Sequence, residues 1–339
     1  MSLQKINIIL GLQLLFIVQM MSQDIHWSQF YNSPLNLSPA LTGIQSGDIR
    51  FQVNYKNQWN TVPVGYNTMS ASYDGKYYTP NLKNSMFGVG MIFNYDKSGY
   101  SKLEQQNIQF LGSITHRIGE NHFLTGGIDV GFTQRAFDFS DLSFTNQWDG
   151  DVYNPKSLTR EPNDATEAKY ADFSLGINYH FQLPKKRTKI DFGVGLFHIN
   201  EPEGNSFWAD NTVFLSQRTS FYGLVTVYVA PKFDILGSVS FQYQSGHKEQ
   251  LYSLAARYHL SQEKTKELAL QVGGIFRNKD AFAPALEIHY KKQWQVAFTY
   301  DINFSPFKIT TEKIGGPEFS LTYIITKPRF NKVKFCPIY

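Results

Sequence analysis

Residues 293–304 read QWQVAFTYDINF. Trp294, Val296, Phe298, Tyr300, Ile302 and Phe304 share one parity, and Gln293, Gln295, Ala297, Thr299, Asp301 and Asn303 share the other. Successive side chains of a β-strand point to opposite faces, so this stretch has one aromatic-aliphatic face and one polar face. The alternation runs for about a dozen residues, about twice the usual length of a globular strand. Residues 49–60, IRFQVNYKNQWN, repeat it: Ile49, Phe51, Val53, Tyr55 and Trp59 against Arg50, Gln52, Asn54, Lys56, Gln58 and Asn60. Phe87 to Tyr95, Leu124 to Phe132, Phe173 to Phe181 and Phe319 to Ile325 follow the same rule.

The polar rows are mostly Gly, Ser, Thr, Asn and Gln with scattered charges, not the Lys and Glu of a solvated sandwich face. This composition fits a crowded polar lumen with the apolar rows turned to lipid. The fold expected is all-β, a transmembrane antiparallel β-barrel of about 14 strands over residues 49–326, even-numbered as in single-chain bacterial barrels. The segments are 49–60, 65–76, 85–97, 103–118, 121–135, 169–183, 188–200, 217–230, 232–244, 247–260, 265–277, 280–291, 293–304 and 316–326. Tight joints at Ile118–Asn121, Leu183–Thr188, Ala230–Lys232 and Lys291–Gln293 follow even-numbered segments. The long connections, Ala136–Ala168, Asn200–Gln217 and Ser305–Gly315, follow odd-numbered ones. Membrane barrels carry short turns on the periplasmic side and long loops outside, so this parity places both ends of the barrel in the periplasm. Trp59, Tyr95, Trp294 and Tyr300 lie near segment ends, where interfacial girdles form.

The bulk composition agrees. The 28 Phe and 20 Tyr among 339 residues favour a pleated surface over helices. A net charge of +4, spread along the chain, does not make a nucleic-acid surface. Residues 1–22 read as a signal peptide: Lys5, then the apolar Ile6–Val18, then Met21-Ser22 before a cleavage ahead of Gln23. The chain has one cysteine, Cys336, so no internal disulfide framework is expected.

Sites of reactive chemistry are sparse. The eight histidines, 26, 116, 122, 180, 198, 247, 259 and 289, show no metal-site spacing, and there is no G-x-S-x-G elbow. Asp141, Asp149 and Asp151 lie in an Asp/Asn-rich loop without the full ligand spacing of a calcium site. No enzyme activity, metal or cofactor is expected. The face read as luminal carries Arg50, Lys56, Asp96, Arg117, Asp129, Arg135, Asp172, Arg257, Glu287, Lys291 and Asp301, a mixture of signs that either fills a closed interior with ion pairs or lines an open pore.

Two segments fall outside the alternation. Residues 23–43, QDIHWSQFYNSPLNLSPALTG, contain Pro34 and Pro39, which lack ladder donors, and aromatics that need burial. The 23–48 region is expected to enter from the periplasmic side and fold into the barrel mouth or lumen as a plug. The tail, residues 327–339, is basic through Lys327, Arg329, Lys332 and Lys334 and is broken by Pro328 and Pro337. Candidate partner-binding residues are His26, Trp27, Phe30 and Tyr31 in the first segment, Trp148 and Trp208 in the long loops, and Arg329, Lys332 and Lys334 in the tail.

QDIHWSQFYNSPLNLSPALTG, followed by RFQVNYKNQW, YNTMSASYDG, GGPEFSLTY and the terminal CPIY, resembles the PorP/SprF family of type IX secretion membrane proteins of Bacteroidetes. The resemblance spans essentially the whole mature chain. It implies a non-enzymatic outer-membrane barrel serving type IX secretion and, in gliding bacteria, the export or surface attachment of large adhesins. The partners it implies are a secreted adhesin with a type IX C-terminal domain, a periplasmic ring lipoprotein complex and a peptidoglycan-binding adaptor, besides outer-membrane lipid. Two other functions share the architecture, because a fold does not fix a function: a solute channel, and an outer-membrane hydrolase.

Overall fold

The computed structural model describes residues 24–327 apart from 59–64, 80–81, 83, 100–102, 139–141, 149, 151, 159–165, 184–185, 204–213, 264–265 and 306–313. Fourteen strands appear in it: β1 (Ile49–Gln58), β2 (Tyr66–Tyr77), β3 (Ser85–Ser98), β4 (Leu103–Arg117), β5 (His122–Ala136), β6 (Glu167–Gln182), β7 (Lys189–Phe197), β8 (Arg218–Ala230), β9 (Phe233–Gln244), β10 (His247–Ser261), β11 (Leu268–Arg277), β12 (Ala281–Tyr290), β13 (Trp294–Asn303) and β14 (Ile314–Ile325). Each pairs with its sequence neighbours, and β1 pairs antiparallel with β14 to close the barrel. Closure leaves no strand edge, which is the condition for crossing hydrocarbon with β-structure. No helix among the described residues is long and apolar enough to cross a membrane.

The apolar faces are outside and the polar faces inside. Along β1, Phe51, Val53 and Tyr55 are exposed while Arg50, Gln52, Asn54 and Lys56 are buried. On β13, Trp294, Val296, Phe298 and Ile302 are exposed, and Ala297, Thr299, Asp301 and Asn303 are buried. A water-soluble barrel would show the reverse. The outward rows pack sideways across strands, as in Trp294 against Tyr323 at 4.3 Å and Phe298 against Phe319 at 4.9 Å between ring centroids.

Most strand boundaries fall within two or three residues of those read from the alternation. β7 stops at Phe197, short of residue 200, because His198 takes a left-handed backbone with φ 58° and turns the chain away. The expected loop parity holds in a narrower form. The three longest connections, β5–β6, β7–β8 and β13–β14, all leave one end of the barrel, called here the long-loop end. That end also carries tight turns, including the β9–β10 hairpin through Ser245 (φ 47°) and Gly246 (φ 83°), both with the positive φ that a two-residue type I′ turn needs. Of the charges expected inside, Lys291 is an exposed turn residue with φ 54°, so it does not face the lumen.

The luminal N-terminal segment as candidate functional site

Residues 24–48 lie inside the barrel. The segment is built from three short helical turns, Phe30–Asn32, Pro34–Leu37 and Pro39–Leu41. Pro34 and Pro39 open the second and third, at positions where a missing N–H costs nothing. Ser38 Oγ accepts from the backbone N–H of Ala40 at 3.3 Å and caps the third. The apolar side chains of the segment then find the few apolar residues of the inner wall. Phe30, Leu37 and Leu41 pack with Tyr222, Leu251, Ile275 and Ala283, and Leu35 packs with Ile92 and Leu111.

The polar contacts hold the segment at both ends and in the middle. At the long-loop end, Glu318 on β14 accepts from the backbone N–H groups of Ser28 (2.9 Å) and Gln29 (2.8 Å) and is 1% exposed. Ser28 Oγ donates to the Asp301 carboxylate at 2.8 Å and accepts from Arg277 at 2.6 Å. Lys56, opposite Glu318 in the β1–β14 register, donates to the carbonyl of His26 at 3.2 Å and lies 3.5 Å from Asp301. His26 itself sits 3.1 Å from Glu249. Four charged groups form a chain at the leading end: Asp172 to His198 (2.7 Å), His198 to Asp24 (2.7 Å) and Asp24 to Arg218 (2.8 Å).

Mid-lumen, Asn32 donates to Glu287 (3.4 Å) and accepts from Gln295 (2.8 Å), while Asn36 exchanges amide hydrogen bonds with Asn94 (3.0 and 3.3 Å). At the opposite end, Asp74 holds Arg50 through two bonds of 2.8 and 2.9 Å and accepts from the N–H of Gly43 at 2.7 Å. Such bidentate, charge-assisted bonds combine strength with fixed geometry. The wall is shaped to fit the segment. Gly127 on β5 faces Pro39 and Ala40, and Gly176 on β6 faces Ser38, so closely that a Cβ at either position would strike them.

Burial and charge act against each other in the leading ion chain. Burial pushes the Asp24 carboxyl up, but the charges of His198 and Arg218 outweigh it and hold the group below the usual carboxylate range. Burial pushes the His198 imidazole down, yet the Asp24 charge, with hydrogen bonds to Asp172 and Asp24, brings it to about 9.

The residues singled out from sequence now divide. Trp27 (4% exposed) and Phe30 (2%) are buried in the lumen, and His26 and Tyr31 are half-buried there. His26, Phe30 and Tyr31 contact this chain's own wall. Trp148 is exposed in the β5–β6 connection, bridged to Tyr153. Trp208, Arg329, Lys332, Lys334, Cys336 and the loop carboxylates Asp141, Asp149 and Asp151 lie outside the described residues. No group of three or more His, Cys, Asp or Glu is placed to hold a metal ion among the described residues. The two ends of the segment lie at opposite ends of the barrel. Asp24 sits at the long-loop end beside His198 and Arg218, whereas Asp48 sits at the short-turn end, its N–H donating to Ile325 at 2.8 Å. The bonds of Asp24 to His198, of Ser28 and Gln29 to Glu318 and of Asn32 to Glu287 leave no trace in local sequence, because these partners lie more than 170 positions away along the chain.

A family model described as "Type IX secretion system membrane protein PorP/SprF" matches residues 19–323. The chain belongs to the PorP/SprF family. No curated protein sequence matches it. Among solved structures, this PorP/SprF barrel is similar to the Ralstonia pickettii toluene transporter TbuX, with a TM-score of 0.53 and 9% identity over 86% of this chain and 92% of that one. It is similar as well to a Pseudomonas aeruginosa FadL homologue, with a TM-score of 0.52 and 9% identity over 84% of this chain and 92% of that one. At such identity the likeness concerns the fold alone. Family and fold together make the chain an outer-membrane β-barrel component of type IX secretion.

Proposed function

We propose that this protein is a non-catalytic anchor of the type IX machinery, holding a secreted adhesin at the outer membrane and coupling it to periplasmic parts. The observation that carries the reading is the filled lumen. Residues 24–48 occupy it through buried charge-assisted bonds at both ends. A lumen occupied by the chain itself is not the open water-filled channel of a porin, which supports docking over free diffusion of solute. The long loops of such a barrel face outward, so the β5–β6 and β7–β8 connections are the client-docking face. A cleft of about 500 Å³ opens between the start of β6 and the β7–β8 connection, lined by Lys169, Tyr170, Asn200, Glu201, Pro202 and Phe214. The opposite end and the basic tail are the face toward the ring lipoproteins and the peptidoglycan-binding adaptor.

The test is recovery of the tagged barrel from native outer membranes with identification of what co-purifies. A large secreted protein bearing a type IX C-terminal domain, together with periplasmic lipoproteins, is expected. Recovery of the barrel alone, joined to a large steady conductance in planar bilayers, would instead make it a solute channel, in line with the similarly folded toluene transporter TbuX.

A further inference from the structure

We infer that the N-terminal segment is threaded through the barrel from the outer end to the periplasmic end, so that the mature chain begins at the cell surface although its first strand begins in the periplasm. The direction follows from the partners of each part. Asp24, His26, Ser28 and Gln29 contact His198 just past β7, Arg218 opening β8, Glu249 near the start of β10, Arg277 closing β11, Asp301 near the end of β13 and Glu318 near the start of β14. All six positions belong to the long-loop end. Gly43, Gln45 and Asp48 contact Asp74, Lys76 and Ile325, which belong to the other end.

Because β1 and β14 pair along eight register positions, no gap in the wall offers a sideways route. The chain therefore passes inside the lumen from one end to the other, with the Asn36 carbonyl still accepting from Arg218 at the long-loop end, and then turns at Gly47–Asp48 into β1. The leading end is held by the Asp172–His198–Asp24–Arg218 chain and by Glu318, Asp301 and Lys56 around Ser28. A partner that docks on the long-loop face meets the half-buried residues 24–26 as part of that face.

The assignment of that end to the cell surface rests on the orientation given under Proposed function, and the experiment separates the two. Three single-cysteine variants are made in a Cys336→Ser background and treated on intact and on permeabilised cells with a membrane-impermeant maleimide. Ile25→Cys reports the leading end through a half-buried residue. Leu158→Cys, 84% exposed in the β5–β6 connection, reports the long-loop end. Glu120→Cys, exposed in the β4–β5 turn, reports the short-turn end. Ile25→Cys and Leu158→Cys are expected to label fully in intact cells, and Glu120→Cys only after permeabilisation. Ile25→Cys behaving as Glu120→Cys would overturn the threading. Leu158→Cys and Glu120→Cys exchanging behaviour would overturn the orientation instead, and Ile25→Cys tracking Leu158→Cys would then still support the threading. An epitope inserted between Gln23 and Asp24, detected by antibody on intact cells, separates the same outcomes if Ile25→Cys proves too shielded to react.

Discussion

Glu318→Ala removes the acceptor that receives the backbone N–H groups of Ser28 and Gln29 at 2.9 and 2.8 Å. The site is 1% exposed, so no bulk water stands ready to replace it. Hydrogen bonds to a charged partner are worth roughly 1.5–3 kcal/mol each, and two are lost together. Lys56 loses one neighbouring carboxylate at 3.7 Å but keeps Asp301 at 3.5 Å, which limits the secondary cost. Lumen water entering the vacated space recovers part of the loss, so the docking of the leading segment weakens by about 3 kcal/mol. At about 1.4 kcal/mol per factor of ten, the segment opens roughly a hundredfold more often. Hydrogen exchange on the purified barrel in detergent reads this directly. Peptides covering residues 26–32 should exchange roughly a hundredfold faster, while β4, β5 and β6 keep their protection. Glu318→Gln should fall between, since its amide oxygen still accepts one N–H. Exchange at residues 26–32 within about threefold of the parent, under 1 kcal/mol, would refute the assignment of these two bonds as a principal hold. A uniform rise across all strands would refute the claim that the segment is held separately from the wall.

Gly127→Ala should push the Pro39–Leu41 turn off the wall at an overpacking cost of about 1–3 kcal/mol, raising exchange at residues 38–43. Gly126→Ala, whose Cβ would meet nothing within 4 Å, should leave that exchange unchanged. The leading ion chain should respond to pH. His198 is raised to about 9, so its contribution is complete below its ordinary value near 6.5 and fades as pH climbs through about 9. Asp24 is depressed, so its contribution is complete above its ordinary value near 4 and is lost only as pH falls below that. Protection of residues 24–28, corrected for intrinsic exchange, should plateau between about pH 4 and 6.5 and decline toward 9, and His198→Gln should flatten the alkaline limb.

The wall of this barrel is legible in the sequence because period-2 alternation is a local property. Ile49–Gln58 and Trp294–Asn303 each declare both faces within ten residues, with no reference to the rest of the chain. The luminal position of residues 24–48 is half legible: Pro34 and Pro39 rule out a ladder, and Trp27 and Phe30 demand burial. Its direction is not. Whether Asp24 lies at one end or the other depends on His198 and Arg218, which are ordinary residues at the rim of a loop until the barrel closes. The residues that grip the segment are hidden for a second reason. Glu318 and Asp74 sit on polar faces among many Ser, Thr and Asn, and only register shows that Glu318 stands opposite Lys56 and Asp74 opposite Arg50.

The grip on Ser28 and Gln29 has a consequence for assembly. Its acceptors, Asp301 and Glu318, are supplied by the two strands translated last, and its cation Lys56 by the strand translated first. Ser28 and Gln29 thus have no complete berth until the final hairpin meets β1. A product cut short before β13 lacks both carboxylates that moor Ser28 and the strand that closes against β1, so zipping the seam and seating the cork are one event, and an unfinished chain announces itself by a loose front end.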